Sequence, residues 1–279
     1  MPETWPAPAK LNLFLHITGR REDGYHTLQT VFQFVELADE LAFTVTDTGR
    51  IRRLSDLQGV PAEQDLAVRA ASMLQAKCKC SLGVDIRVDK HLPMGGGLGG
   101  GSSDAATTLV ALNSLWNLNL SEQELLALGI QLGADVPLFI HGHAVWAEGI
   151  GEQFTDVDLP EPWFLILVPD CHVSTAELFA DPRLTRDCHP ITIRNFLSGQ
   201  AKNVFEPVVR GRYVDVDKAM KWLSGFTEAR LTGTGACVFG AFESRAEAER
   251  VFAQRPPGLM AYVTHGLNRS PLRDRADAN

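Results

Sequence analysis

Hydrophobic and polar residues alternate strictly over Val84-Asp85-Ile86-Arg87-Val88-Asp89, which predicts a half-buried strand. The same period runs through Lys10 to Ile17, where Leu11, Leu13 and Leu15 alternate with Asn12, Phe14 and His16. Leu28–Val35 and Leu41–Val45 are further strand candidates. The pattern changes to helical spacing over Asp65–Ala76, and again where Ala105, Ala106, Leu109, Val110, Leu112, Leu115 and Trp116 recur, with Ser102 or Ser103 expected as N-cap. Ser121-Glu122-Gln123-Glu124 reads as a capping box, with Leu120 and Leu125 as its staple, opening a helix that ends near Gly133. Ala144–Ala147 and Trp163–Val168 read as strands.

The second half continues in the same style. Ser174-Thr175-Ala176-Glu177 is a possible cap, and Asp215–Leu223 is helical. Arg230 to Phe242 reads as a glycine turn entering a buried strand. Ser244-Arg245-Ala246-Glu247 caps a helix that runs to Arg255 and stops at Pro256-Pro257, before a final strand over Leu259–Thr264. Strands and helices mix without a regular βαβ rhythm, so the expected class is α+β. Gly151 to Pro162 is the expected linker.

Composition narrows the field. With 279 residues the chain can bury a sizeable core, as one large domain or two modest ones, and 45% hydrophobic with 22% charged residues is an ordinary globular balance. A net charge of -8 argues against a broad nucleic-acid surface. The start, Met1-Pro2-Glu3-Thr4-Trp5-Pro6, has neither the basic residues nor the apolar run of a signal peptide. The longest apolar run, Trp163 to Val168, is too short to span a bilayer. Five cysteines without framework spacing suggest reduced thiols and a cytoplasmic setting, and Cys78-Lys79-Cys80 lacks a second half to make a metal site.

Between the strand at Val84 and the helix at Ala105 lies Lys90-His91-Leu92-Pro93-Met94-Gly95-Gly96-Gly97-Leu98-Gly99-Gly100-Gly101-Ser102-Ser103. Glycines leave backbone N–H groups unobstructed, and amides at a helix mouth hold phosphate. A flexible linker would have loose polar flanks, and this segment has structured ones. No Gly-Lys-Ser/Thr follows, so it is not a Walker loop, and the match of Gly95, Gly97 and Gly100 to a dinucleotide fingerprint is weak. The charge of a triphosphate would be met by amides, the helix dipole and lysines from elsewhere.

Four other places carry candidate chemistry. In Gly133-Ala134-Asp135-Val136-Pro137, Pro137 is expected to hold Val136 extended and so fix a turn around Asp135. That aspartate either serves the turn or accepts the proton of an attacking hydroxyl. Lys10 opens an apolar strand, where it either reaches solvent or stabilises developing charge beside such a carboxylate. Asp23-Gly24-Tyr25-His26 is a tight turn followed by two rings, a surface hairpin or a platform for a planar group. His141 and His143 would share one strand face, but no third ligand is evident.

Three separated motifs, Pro8-Ala9-Lys10-Leu11-Asn12-Leu13, Leu92 to Ser103, and Leu231-Thr232-Gly233-Thr234-Gly235-Ala236-Cys237-Val238-Phe239, together resemble the GHMP kinase superfamily of galactose, homoserine, mevalonate and phosphomevalonate kinases. Asp23-Gly24-Tyr25-His26 and Leu132-Gly133-Ala134-Asp135-Val136-Pro137 narrow the resemblance to members acting on a cytidyl diphosphate sugar alcohol in non-mevalonate isoprenoid synthesis. It runs from about Pro8 to Leu272.

The resemblance implies an α+β, two-domain GHMP kinase architecture. Residues 1–155 would be a ribosomal-S5-like ATP-binding domain, and residues 156–279 a substrate-binding GHMP kinase domain. It implies ATP and Mg2+, with Asp135 as general base supported by Lys10 and no residue-held metal site. Pro93, Met94, Gly95, Gly96, Gly97, Leu98, Gly99, Gly100, Gly101, Ser102 and Ser103 would wrap the ATP phosphates, with Lys90 and Leu66 near the adenine. Tyr25 and Phe179 would sandwich the cytosine, and His26 would read its edge. Asn12 would meet the sugar-alcohol end, and Gly233, Thr234 and Gly235 would border the substrate phosphates. The partner implied is a small molecule, with no nucleic acid or membrane, on a monomer or weak homodimer. One departure stands out: position 104 is commonly asparagine in such kinases, and an acid there would repel a nearby phosphate.

Overall fold

The structure, a computed structural model, describes residues 3–22, 24, 26–57 and 59–278. Two long strands, β1 (Glu3–Arg20) and β2 (His26–Thr46), pair antiparallel from Glu3↔Phe43 to Arg20↔His26. The two strands expected at Leu28–Val35 and Leu41–Val45 are thus one. The polar stretch between them stays extended because the ladder to β1 continues through Pro8↔Ala38, Ala7↔Asp39 and Pro6↔Glu40. Tertiary pairing overrides local polarity there.

The chain continues through β3 (Ile51–Arg53), α1 (Leu66–Cys78), β4 (Gly83–Asp89), α2 (Gly100–Leu115), α3 (Glu122–Leu132), α4 (Val136–His141), β5 (Val145–Glu148), β6 (Gln153–Asp156) and β7 (Trp163–Val168). There follow α5 (Thr175–Ala180), α6 (Ile193–Leu197), α7 (Glu206–Arg212), α8 (Val214–Leu223), β8 (Arg230–Leu231), β9 (Val238–Phe242), α9 (Arg245–Phe252), β10 (Met260–Leu267) and α10 (Pro271–Asp277). One sheet runs in the order β3-β4-β2-β10-β7-β9-β8, with β1 on β2 and the β5–β6 pair also on β2. The class is α+β, as expected. The expected linker Gly151–Pro162 contains β6, which zips onto β5 from Glu148↔Gln153 to Val145↔Asp156 and packs Phe154 against the core.

Local chemistry sets the helix starts. Asp65 Oδ1 accepts the Ala67 N–H at 2.8 Å, and Ser121 with Glu124 makes both bonds of the expected capping box. Ser174 and Ser244 cap α5 and α9 as their spacing predicts. The expectation of a serine cap on α2 is wrong. Gly99 holds that position at φ +79°, where a Cβ would lie 2.7 Å from the Phe139 ring, and Ser102 and Ser103 fall inside the first turn.

Helices α1 to α4 cover one face of the β1–β2–β4 layer, around Trp5, Phe34, Phe43, Leu74, Leu109 and Phe139, and Leu272 of α10 joins that core. A second core lies between the β7–β9–β10 layer and helices α5, α7, α8 and α9, while Phe196 of α6 packs separately with Phe14, Val31 and Trp146. Between them a smaller cluster, including Leu11, Val35, Leu98, Phe164, Ile166 and Cys237, anchors the glycine loop by the fully buried Leu98.

Candidate active site

A cleft of about 970 Å³ opens between the two layers. A second recess of about 380 Å³ lies on the other side of the glycine loop. Gly95, Gly97, Gly99 and Ser102 line both. The loop is therefore a partition between two binding volumes.

Three successive carbonyls of the loop are tied to two other segments, the glycine turn around Thr232–Cys237 and the strand at Lys10. Gly96 accepts the Cys237 N–H at 3.1 Å, Gly97 accepts the Thr232 hydroxyl at 3.4 Å, and Leu98 accepts the Lys10 N–H at 3.0 Å. No side chain caps α2, so the amides of its first turn remain for a ligand. The second recess is walled by Pro93, Met94, Gly95 to Gly101, Ser102, Leu66 and Lys90. Ser103 is placed differently from expectation: it is fully buried in the first turn, its N–H is bonded to Gly99, and it lines neither recess.

On the cleft side, Lys10 and Asn12 lie between β-bulges at Pro8/Lys10 and Asn12/Phe14, an irregularity that aims side chains at a site. Lys10 Nζ donates to Asn12 Oδ1 at 2.6 Å, stands 3.4 Å from Asp135 Oδ2, and lies 5.3 Å from the centre of the Phe32 ring. Asn12 is oriented in turn by donating to Thr30 Oγ1 at 3.0 Å, and the Thr30 hydroxyl donates to the Phe14 carbonyl. The Lys10 side chain is 4% exposed and that of Asp135 is 36% exposed. The cation is enclosed while its carboxylate stays open to the cleft.

The turn expected around Asp135 is present, closed by the Val136 N–H on the Gly133 carbonyl at 3.2 Å, but it runs straight into a helix, so Val136 is helical and not extended as expected. Asp135 is the N-cap residue of α4, with Pro137 in the first turn, where its missing N–H costs nothing. Its carboxylate makes no capping bond and serves Lys10 instead. His141 ends this helix, so the two histidines share no strand face. His141 lies between Glu122, 3.3 Å away, and Asp156, 2.6 Å away. Among the described residues no group of three or more His, Cys, Asp or Glu is placed to hold a metal ion.

The far end of the cleft is aromatic. The His26 ring stacks on Phe179, with centroids 5.1 Å apart and planes at 26°, and Phe179 meets Phe205 edge-on. His26 Nε2 is buried with no partner. Burial, then the nearby Arg186 and Arg20 guanidiniums, lower the His26 pKa, so the ring is neutral at pH 7. Asp23 and Tyr25 lie outside the described residues. Gly233, Thr234 and Gly235 border the cleft, with Thr234 Oγ1 at 2.8 Å from Thr175 Oγ1. Cys237 lies under the loop, its thiol pushed by burial up to about 12, which removes it as a nucleophile.

Lys90 reaches its recess with its ammonium already engaged. It pairs with the buried Asp39 and, at 2.8 Å, with Asp104. Asp39 Oδ1 also accepts the N–H groups of His91 and Leu92 at 2.6 and 2.7 Å, which fixes the entry to the loop. Burial pushes the Asp104 carboxyl up to about 7 against the pull of Lys90, with Asp39 adding to the rise. Sequence reading missed Asp39 and Thr232. Nothing local marks Asp39, whose partners lie 51 or more residues away; Thr232 stood unremarked inside a motif.

The profile described as "GHMP kinases N terminal domain" matches residues 65–143, and "GHMP kinases C terminal" matches residues 191–256. A Nitrosococcus oceani protein named 4-diphosphocytidyl-2-C-methyl-D-erythritol kinase is 58% identical over 97% of this chain and 96% of its own. A Pseudomonas aeruginosa protein of the same name is 54% identical over 98% and 96%. A crystal structure of 4-(cytidine 5'-diphospho)-2C-methyl-D-erythritol kinase superposes with a TM-score of 0.83 at 30% identity, covering 95% of this chain and 99% of that one. A mevalonate kinase structure shares the fold at TM-score 0.69 and 14% identity. The chain belongs to the GHMP kinase family, in the branch of the 4-diphosphocytidyl-2-C-methyl-D-erythritol kinases.

Proposed function

We propose that this kinase transfers the γ-phosphoryl group of ATP to the 2-hydroxyl of 4-diphosphocytidyl-2-C-methyl-D-erythritol. The reading rests on one observation above all: the enclosed Lys10 and the open Asp135 meet in the larger cleft, with the Lys10 backbone bonded to the glycine loop that divides that cleft from the smaller recess. The smaller recess suits the nucleotide, with Leu66 and Lys90 at its adenine end and the loop amides at its phosphate end. The larger cleft suits the cytidyl substrate, with Asn12 at the sugar-alcohol end, Gly233 to Gly235 along the diphosphate, and Phe179 and His26 at the base. Tyr25, by the resemblance, closes the cytosine sandwich. A neutral His26 with a free buried nitrogen can hydrogen-bond the cytosine edge.

In the reaction the 2-hydroxyl oxygen forms a bond to the γ-phosphorus, and the bond from that phosphorus to the bridging oxygen of ADP breaks. The hydroxyl proton passes to the Asp135 carboxylate. Lys10 holds that carboxylate in place and opposes the negative charge that develops beside it. Mg2+ would be carried in on the nucleotide, held mostly by phosphate and water. Ser102 and Asp135 are protein oxygens bordering the cleft beside the loop. The ion would neutralise charge on the triphosphate.

Among the described residues no helix is long and apolar enough to cross a membrane. We place the enzyme in the cytoplasm, as a monomer or weak homodimer, with residues 1–155 forming the nucleotide domain and 156–279 the substrate domain. An ADP-release assay across a panel of the cytidyl substrate, mevalonate and homoserine tests the activity. Turnover confined to the cytidyl substrate is expected, and none with it would overturn the reading.

A further inference from the structure

Three segments cross at one hydroxyl. Thr232, fully buried, follows β8 and opens the glycine turn. Its Oγ1 accepts the backbone N–H of Asn12 at 3.0 Å and donates to the carbonyl of Gly97 at 3.4 Å. The Asn12 amide belongs to the bulged stretch of β1 that carries Lys10, and Gly97 belongs to the partition between the two recesses. The fit is close on every side. A Cβ on Gly97 would lie 2.5 Å from the Thr232 carbonyl oxygen, and one on Gly233 would lie 3.4 Å from both Asn12 Oδ1 and the Gly97 oxygen. Backbone bonds from the turn also hold it: Thr232 N–H to the Cys237 carbonyl at 3.2 Å, and Gly235 N–H to the Thr232 carbonyl at 2.9 Å.

The geometry points to Thr232 as a positioning residue whose hydroxyl sets the register between the phosphate loop and the strand bearing Lys10 and Asn12. Resting on the phosphotransfer reading above, it aligns the phosphoryl donor with the acceptor without touching either. The loop has two other tethers, at Gly96 and Leu98, so it persists without the hydroxyl. What is lost is its fine position, and reacting groups displaced by about 1 Å can lose ~100-fold in rate. Binding of each substrate, which draws on contacts spread across its whole recess, is less sensitive.

Thr232→Val keeps the shape and removes the hydroxyl; Thr232→Ser keeps the hydroxyl and removes a methyl group. With the cytidyl substrate and ATP, Thr232→Val is expected to lower kcat by about 10–100-fold with both KM values within about threefold. Thr232→Ser is expected to stay within about threefold of the parent in kcat. Should the valine variant not fold, Thr232→Cys, with a weak donor of similar size, should fall between parent and valine expectations. Unchanged kcat in the valine or cysteine variant overturns the inference. So does a rise in KM alone, or a serine variant as slow as the valine, since each assigns the residue to binding or bulk. Parent enzyme inactive on the cytidyl substrate overturns the proposed function instead; parent active with an indifferent Thr232 overturns only this inference.

Discussion

Two lysines flank the same glycine loop and are compensated in opposite ways. Lys10 shares its charge with one carboxylate, Asp135, at 3.4 Å, and with the neutral oxygen of Asn12. Lys90 is held between two buried carboxylates, Asp39 and Asp104. A buried ammonium must be paired, and both are. The difference lies in what the partners can still do. Asp135 keeps a third of its side chain open to the cleft and makes no capping bond, so it can meet a substrate proton. Asp39 is sealed and spends its second oxygen on the two amides that start the loop. One pair is left partly unspent for chemistry, and the other is saturated and shapes the nucleotide recess.

Substitution should separate the two most sharply at the carboxylates and then at the lysines. Asp135→Asn keeps the shape and removes the base, so kcat should fall about 10²–10⁴-fold while circular dichroism and Tm stay near the parent values. Near-parental turnover would strip Asp135 of its role. Lys90→Met leaves two buried carboxylates facing one another, and breaking a buried pair costs about 3–5 kcal/mol. Lys10→Met leaves a carboxylate that reaches solvent, so it should lose activity with a much smaller drop in Tm. If denaturant melts show equal losses for the two methionine variants, the contrast between the pairs is wrong.

How much of this was readable beforehand follows the same division. Lys10, Asp135 and the loop are marked by residue type and spacing, because free amides, a strand lysine and an unexplained aspartate advertise chemistry locally, whereas Asn12 entered only through the family resemblance. The capping box at Ser121 and the strand at Trp163–Val168 were legible for the same reason. Asp39 was not: its meaning comes from Lys90, His91 and Leu92, brought to it by the β2–β4 pairing. The start of α2 at Gly99 depended on the Phe139 ring from α4, and the helix at Val136 on Pro137 standing in a first turn rather than after a strand. Long-range packing decided the first two, and no local pattern reports it; Pro137 is a local helix-start signal that the reading of Val136 as extended passed over.

The aromatic end of the cleft gives a smaller, directional effect. Phe179→Ala removes the ring stacked on His26 and should raise KM for the cytidyl substrate about tenfold, worth about 1.4 kcal/mol, while KM for ATP holds steady across the loop partition. Equal rises for both substrates would show that the two recesses are not independent.

The smallest expected effect concerns the departure at position 104. Asp104 turns one oxygen to Lys90 and leaves Oδ1 buried without a partner. Asp39 lies across the shared lysine, and Asp65, itself paired with Arg53, adds negative charge nearby. With two carboxylates on one ammonium, the cluster carries excess negative charge, and Asp104 in the folded state titrates at about 7, well above the ordinary aspartate value of about 3.9. A raised folded pKa means that the folded state holds the proton more tightly than the unfolded chain. Below about pH 4 both states are protonated; between there and pH 7 only the folded state is, so this group's contribution to stability falls as pH rises through that window. Asp104→Asn is neutral at every pH. Its Tm should approach the parent's near pH 4, where Asp104 is protonated in both states, and the gap should open as pH rises to about 7 and then stay constant, reaching at least about 2–4 °C at pH 8, the worth of about 1 kcal/mol in a chain near this size. A variant less stable than the parent at pH 8 would mean that Lys90 needs both carboxylates charged, and that the saturated pair is balanced rather than overfilled.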